Sequence, residues 1–179
     1  MKYFAMFGSG VENANTCFTC IEIDQIVRCF RDNYDALKYG GSNQGLMHLF
    51  ANHFFEEGGY VMGIYPKWLK QYGYVADFNE SVVVENLAQR KKELLKGISA
   101  ILCLPGGIGT LDEVITYLAE LSVEERADQL PVVFYDVQGY YRPLEVLFET
   151  MGVFGAIDLR KYKMLFSDDV YQISDFIKG

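Results

Sequence analysis

Six short apolar runs alternate with six amphipathic ones along this chain. Tyr3–Phe7, Ala36–Tyr39, Tyr60–Tyr65, Ile98–Leu104, Pro131–Tyr135 and Lys163–Phe166 have the length and composition of strands. Helical spacing marks about Ile21–Arg31, Leu46–Glu57, Asn86–Lys96, Leu111–Leu121, Tyr141–Met151 and Val170–Ile177. Such alternation predicts right-handed βαβ crossovers and a mainly parallel sheet. The central strands read as continuous apolar runs, as happens when helices cover both faces. No repeat or low-complexity linker breaks the pattern. The expectation is one α/β domain over residues 1–179, a three-layer sandwich around a mainly parallel sheet. Ligands of such sheets bind beyond the carboxyl ends of the strands.

Glycine-rich turns follow three of those strands: Gly8-Ser9-Gly10, Gly40-Gly41-Ser42-Asn43-Gln44-Gly45 and Gly106-Gly107-Ile108-Gly109. Parallel strands end on one edge, so the three turns can converge on one ligand. The third runs into Thr110-Leu111-Asp112-Glu113 at a helix start. Unpaired amides and the positive end of a helix dipole meet there, which suits a phosphate. Glycine lets an anion approach the backbone where a Cβ would block it. The spacing does not match the dinucleotide fingerprint G-x-G-x-x-G, and no Gly-Lys-Ser/Thr of a P-loop follows. The candidate phosphate site therefore comprises Gly8, Ser9, Gly41, Gly106, Gly107, Gly109 and Thr110.

Charged residues in the helical runs need explaining. On a wheel of Asn86–Lys96, Leu87, Leu94 and Leu95 share a face, Lys91 projects into its middle and Arg90 lies on its flank. Cations there either await an anion or snorkel over apolar surface toward carboxylates. Lys91 is thus a further phosphate-binding candidate, and Arg90 is better suited because a guanidinium grips phosphate oxygens in pairs. Glu113 also has two readings. Thr110-x-x-Glu113 has the form of a capping box, which wheel position favours. Alternatively its carboxylate stands beside a sugar bound at the helix start. Asp112 reads as a surface acid favoured by the dipole.

Trp68 with Tyr65, Tyr72 and Tyr74 forms an aromatic cluster that suits either a planar base or a packed interface. His48 and His53 are five residues apart, which does not place them on one face as metal ligands. Cys17-x-x-Cys20 lacks the partner ligands of a zinc site, so its spacing is read as chance. No metal site is expected.

Composition narrows the function classes. Half of the residues are hydrophobic, which argues against disorder. A net charge of −8 without a basic run argues against broad nucleic-acid binding. No apolar stretch reaches membrane-spanning length, and the first residues are too short an apolar run for a signal peptide. A cytoplasmic location with reduced thiols is expected.

Several motifs occur in order: Gly40-Gly41-x-x-x-Gly45-Leu46-Met47, Gly63-Ile64-x-Pro66, Arg90-Lys91, Pro105-Gly106-Gly107-x-Gly109-Thr110-x-x-Glu113 and Asp136-Val137-Gln138-Gly139-Tyr140-Tyr141. Together they resemble the LONELY GUY (LOG) family, often labelled lysine decarboxylases. The resemblance runs from Phe4 to about Gly155. It implies a Rossmann-like fold and a homodimer with the active site near the subunit interface. It also implies hydrolysis of the N-glycosidic bond of nucleoside 5′-monophosphates, cytokinin forms included, with no metal or redox cofactor. Carried over, Gly106, Gly107, Gly109 and Thr110 hold the 5′-phosphate, while Arg90 and Glu113 are catalytic. The Met-His that precedes the family's arginine is Leu87-Ala88 here, and Lys67–Glu85 departs from the family pattern. A nucleotide sensor or molybdenum-cofactor carrier of the same fold is the competing reading.

Overall fold

The computed structural model describes residues 1–12, 18–123 and 129–179; Cys17 of the Cys17-x-x-Cys20 pair lies outside them. Seven strands form one parallel sheet in the order β4-β3-β2-β1-β5-β6-β7. They are β1 (Tyr3–Phe7), β2 (Ala36–Tyr39), β3 (Tyr60–Pro66), β4 (Glu80–Val84), β5 (Ile98–Cys103), β6 (Val132–Tyr135) and β7 (Met164–Ser167). The helices are α1 (Cys20–Arg31), α2 (Gly45–Glu56), α3 (Lys67–Gln71), α4 (Leu87–Leu95), α5 (Ile108–Val123), α6 (Arg142–Val153) and α7 (Val170–Lys178). The three-layer α/β expectation holds, and β4 and α3 are additions to it.

Alternation along β1 explains the two cores. Phe4 and Met6 point to a layer built with Phe30, Phe50, Phe54 and Ile173 from α1, α2 and α7. Ala5 and Phe7 point to the opposite layer with Leu94, Val114 and Phe148 from α4, α5 and α6. Both faces are covered, so β1 is buried from Phe4 to Phe7. Each large side chain so buried contributes roughly 1.5–3 kcal/mol before the entropy of ordering it.

β1 pairs with β2 on one side and with β5 on the other. Successive connections therefore run outward in opposite directions from β1, and a crevice opens at its carboxyl end. At the opposite, amino end of the sheet, Lys38 on β2 ties α4 to the strands. Its buried ammonium donates to the Glu93 and Lys96 carbonyls at 3.1 and 2.7 Å, at the end of α4. A cation there meets orphan carbonyls and the negative end of the helix dipole. Burial holds its pKa below the usual lysine value, with Glu93 opposing.

Candidate active site

The α5 terminus is the anchor of the site. Leu111 N–H donates to the Gly107 carbonyl at 3.2 Å, so the amides of Ile108, Gly109 and Thr110 belong to the first helical turn, ahead of the regular ladder. The helix begins three residues before the Leu111 start expected from spacing. A cavity of about 350 Å³ adjoins this turn, lined by Gly8, Ser9, Gly107, Gly109 and Thr110 together with Arg90 and Glu113. The first and third glycine turns do converge. Ser9 N–H donates to the Pro105 carbonyl at 3.1 Å, and Ser9 carbonyl accepts from Met47 N–H at 3.1 Å, tying both turns to α2.

Glu113 is buried, not a surface cap. Its Oε1 accepts from Arg90 Nη1 at 2.7 Å. Removal from water raises the Glu113 pKa; the Arg90 charge partly offsets that shift. Arg90 is held on its other edges by carbonyls: Nε donates to Ile64 at 3.0 Å and Nη2 to Gly40 at 3.2 Å. A Cβ at Gly40 would collide with Nη2, so this glycine is required for the approach of the guanidinium. The capping-box alternative for Glu113 therefore gives way to a cross-element ion pair.

Three candidates sit elsewhere. Lys91 is not on the glycine-lined cavity: its ammonium bonds both oxygens of Asp112, at 3.0 and 3.1 Å. Leu87, Arg90 and Leu94 follow one line on α4, and Leu94 is the buried anchor, so Arg90 rather than Lys91 faces inward. Gly41 has φ +75°, and its Cβ would strike the Tyr65 ring; it shapes the turn without lining the cavity. Gly106 likewise packs behind the cavity, where a Cβ would strike Thr110 Oγ1.

Sequence reasoning assigned no role to the two tyrosines that brace the third turn. Tyr141 Oη donates to the Leu104 carbonyl at 2.7 Å, fully buried, and Tyr140 Oη donates to the Gly106 carbonyl at 2.8 Å. Gln138 and Gly139, both at positive φ (56° and 73°), bend the chain to bring them there. Burial pushes the Tyr141 hydroxyl far above the usual tyrosine range, so it stays a donor.

A family model described as "possible lysine decarboxylase" matches residues 47–174. The chain belongs to this family, of which the LOG proteins are members. It is 34% identical over 124 residues to the rice (Oryza sativa subsp. japonica) protein named probable cytokinin riboside 5′-monophosphate phosphoribohydrolase LOGL1, covering 68% of this chain and 54% of that one. It is 36% identical over 111 residues to the Arabidopsis thaliana cytokinin riboside 5′-monophosphate phosphoribohydrolase LOG1, covering 60% and 50%. The chain thus spans about half the length of the curated relatives it matches. In fold it is similar to the Chlamydomonas reinhardtii Moco carrier protein, with a TM-score of 0.71 at 18% identity over 99% of this chain and 95% of that one. The matched span includes Arg90, the Pro-Gly-Gly-x-Gly-Thr-x-x-Glu element and the two bracing tyrosines. The sequence signal for those tyrosines is the Asp136–Tyr141 segment, which is part of the LOG resemblance.

Proposed function

We propose that the protein hydrolyses the N-glycosidic bond of nucleoside 5′-monophosphates, AMP or a cytokinin riboside monophosphate, giving free base and ribose 5-phosphate. The observation that carries this reading is the Arg90–Glu113 pair, 2.7 Å apart, on a cavity that starts at the α5 amides. In this reading the 5′-phosphate rests on the amides of 108–110 and the Thr110 hydroxyl, which places the ribose toward Glu113. As the C1′–N bond breaks, its electron pair leaves with the base, and positive charge develops on the ribose. The Glu113 carboxylate stabilises that charge and takes a proton from the attacking water. The hydroxide oxygen bonds C1′, and the departing base nitrogen gains a proton that balances the one Glu113 took from water and then releases, so that one water is consumed per turnover. Arg90 favours the ionised form of Glu113 against the effect of burial, and its remaining N–H groups face sugar or phosphate oxygens. Names of relatives at about one-third identity support the reaction class.

We infer further a single-domain, cytoplasmic protein acting as a homodimer; among the described residues no helix is long and apolar enough to cross a membrane. Sedimentation at micromolar concentration tests the dimer. Incubation with AMP and cytokinin riboside monophosphates, followed by chromatography for free base, tests the activity. Release of base with equimolar ribose 5-phosphate is expected. Tight nucleotide binding without release would instead mark a binding protein, a sensor or carrier.

A further inference from the structure

A second cavity, about 570 Å³, continues from the glycine-lined one. Gly10, Met47 and Arg90 line both. Its far wall is aromatic and apolar: Trp68, Leu69, Tyr74 and Leu87. Trp68 and Tyr74 are each 47% exposed, a large apolar area to leave beside a paired guanidinium. Both sit on segments joined to the site. Trp68 lies on α3, four residues after the Ile64 carbonyl that anchors Arg90. Tyr74 lies on a loop stitched to the second glycine turn: Asn43 N–H donates to the Tyr74 carbonyl at 3.1 Å and Ala76 N–H to the Gly41 carbonyl at 3.0 Å. Tyr72 links the rings at centroid distances of 6.4 Å to each.

We propose that this cavity is the base subsite, and that Trp68 and Tyr74 stack a planar heteroaromatic base whose ribose phosphate occupies the first cavity. The assignment rests on the nucleotide reading above and deepens it. Charge fixes the direction. Glu12 lines the aromatic cavity and repels a phosphate, whereas helix-terminal amides line the other. Aromatic stacking is tolerant of base identity and strong enough to matter, since removing one such ring costs roughly 5- to 150-fold in affinity. Trp68 and Tyr74 are base-binding residues here, with no part in proton transfer.

The chain has one tryptophan, so emission from Trp68 reads the contact directly. Wild-type protein is titrated with AMP, supplied as its hydrolysis-resistant carbocyclic analogue, and with ribose 5-phosphate, and affinities are measured by calorimetry. AMP should quench the emission, while ribose 5-phosphate should bind and leave it unchanged. Trp68→Ala should weaken AMP by the factor above and leave ribose 5-phosphate within twofold; Trp68→Phe should restore most of the loss. AMP binding without quenching, or equal weakening of both ligands in Trp68→Ala, would overturn the subsite and leave the nucleotide reading standing. Binding of neither ligand would overturn both. Emission that changes on protein dilution and not with AMP would give the aromatic wall to a second copy and overturn the proposal.

Discussion

Glu113→Gln removes one charge and almost no volume from the centre of the site. In the structure the carboxylate is buried and accepts a 2.7 Å bond from Arg90. The amide oxygen of Gln can still accept that bond, so Arg90 keeps three partners. The loss of charge assistance costs about 1–2 kcal/mol. Relief from burying a carboxylate offsets part of it. The net change is about 1 kcal/mol, or roughly 2–4 °C in Tm for a chain of this size. Catalysis should suffer far more. Removing a general base and the charge opposite an oxocarbenium-like transition state costs about 10²–10⁴ in kcat. The α5 amides assigned to the phosphate in the proposed reading are left in place by the substitution, so AMP affinity should stay within a few-fold. Chromatographic rates of base release, calorimetric AMP binding and a melting curve measure the three quantities. Unchanged kcat would make Glu113 a structural partner of Arg90 only. Loss of AMP binding at an unchanged Tm would make the pair a binding element.

Three further outcomes are expected. Glu113 holds its proton more tightly folded than unfolded, so stability contributed by its neutral form falls as pH rises from the ordinary carboxylate value through the raised folded one; the Tm of wild type minus that of Glu113→Gln should decrease between pH 4 and pH 8, and an increase would refute the burial argument. Gly40→Ala should fold with a Tm within a few degrees, because the collision is with the flexible end of Arg90, yet lose at least 10²-fold in kcat as the guanidinium is displaced; full activity would show that Arg90 has no fixed place. Tyr141→Phe strips the buried Leu104 carbonyl of its donor and should cost about 1–3 kcal/mol by urea unfolding, a loss that Tyr140→Phe at the half-exposed Gly106 contact should not match.

Periodicity was enough for six strands and the three-layer architecture because the central strands are mostly apolar, with Lys38 of β2 and Ser99 of β5 as exceptions. β4 escaped it: the strand is a short edge element, mostly exposed, and its Ser81–Val84 run follows a stretch with no helical or alternating signal. α5 begins earlier than apolar spacing predicts because Gly109 is a poor helix former and Ile108, 82% exposed, lies off the buried face that sets the spacing. Arg90 and the glycine turns were legible from residue type and spacing. The orientation of Glu113 was not, since its partner stands 23 residues away on another element and no single wheel contains both. The same limit hid the Lys91–Asp112 bridge, which turns Lys91 away from the cavity.

The adjacency of β1 and β5 sets an order of assembly. Tyr3 pairs with Ile98, so the first glycine turn meets the third only after nearly a hundred residues of intervening chain have been closed into a loop. An N-terminal half emerging from a ribosome carries Ser9 and Gly40 but neither Glu113 nor the α5 amides. On the proposed function, nucleotide would therefore reward folding only at the end, once both halves have docked, and a fragment stopping before α5 would have no means of being rescued by ligand.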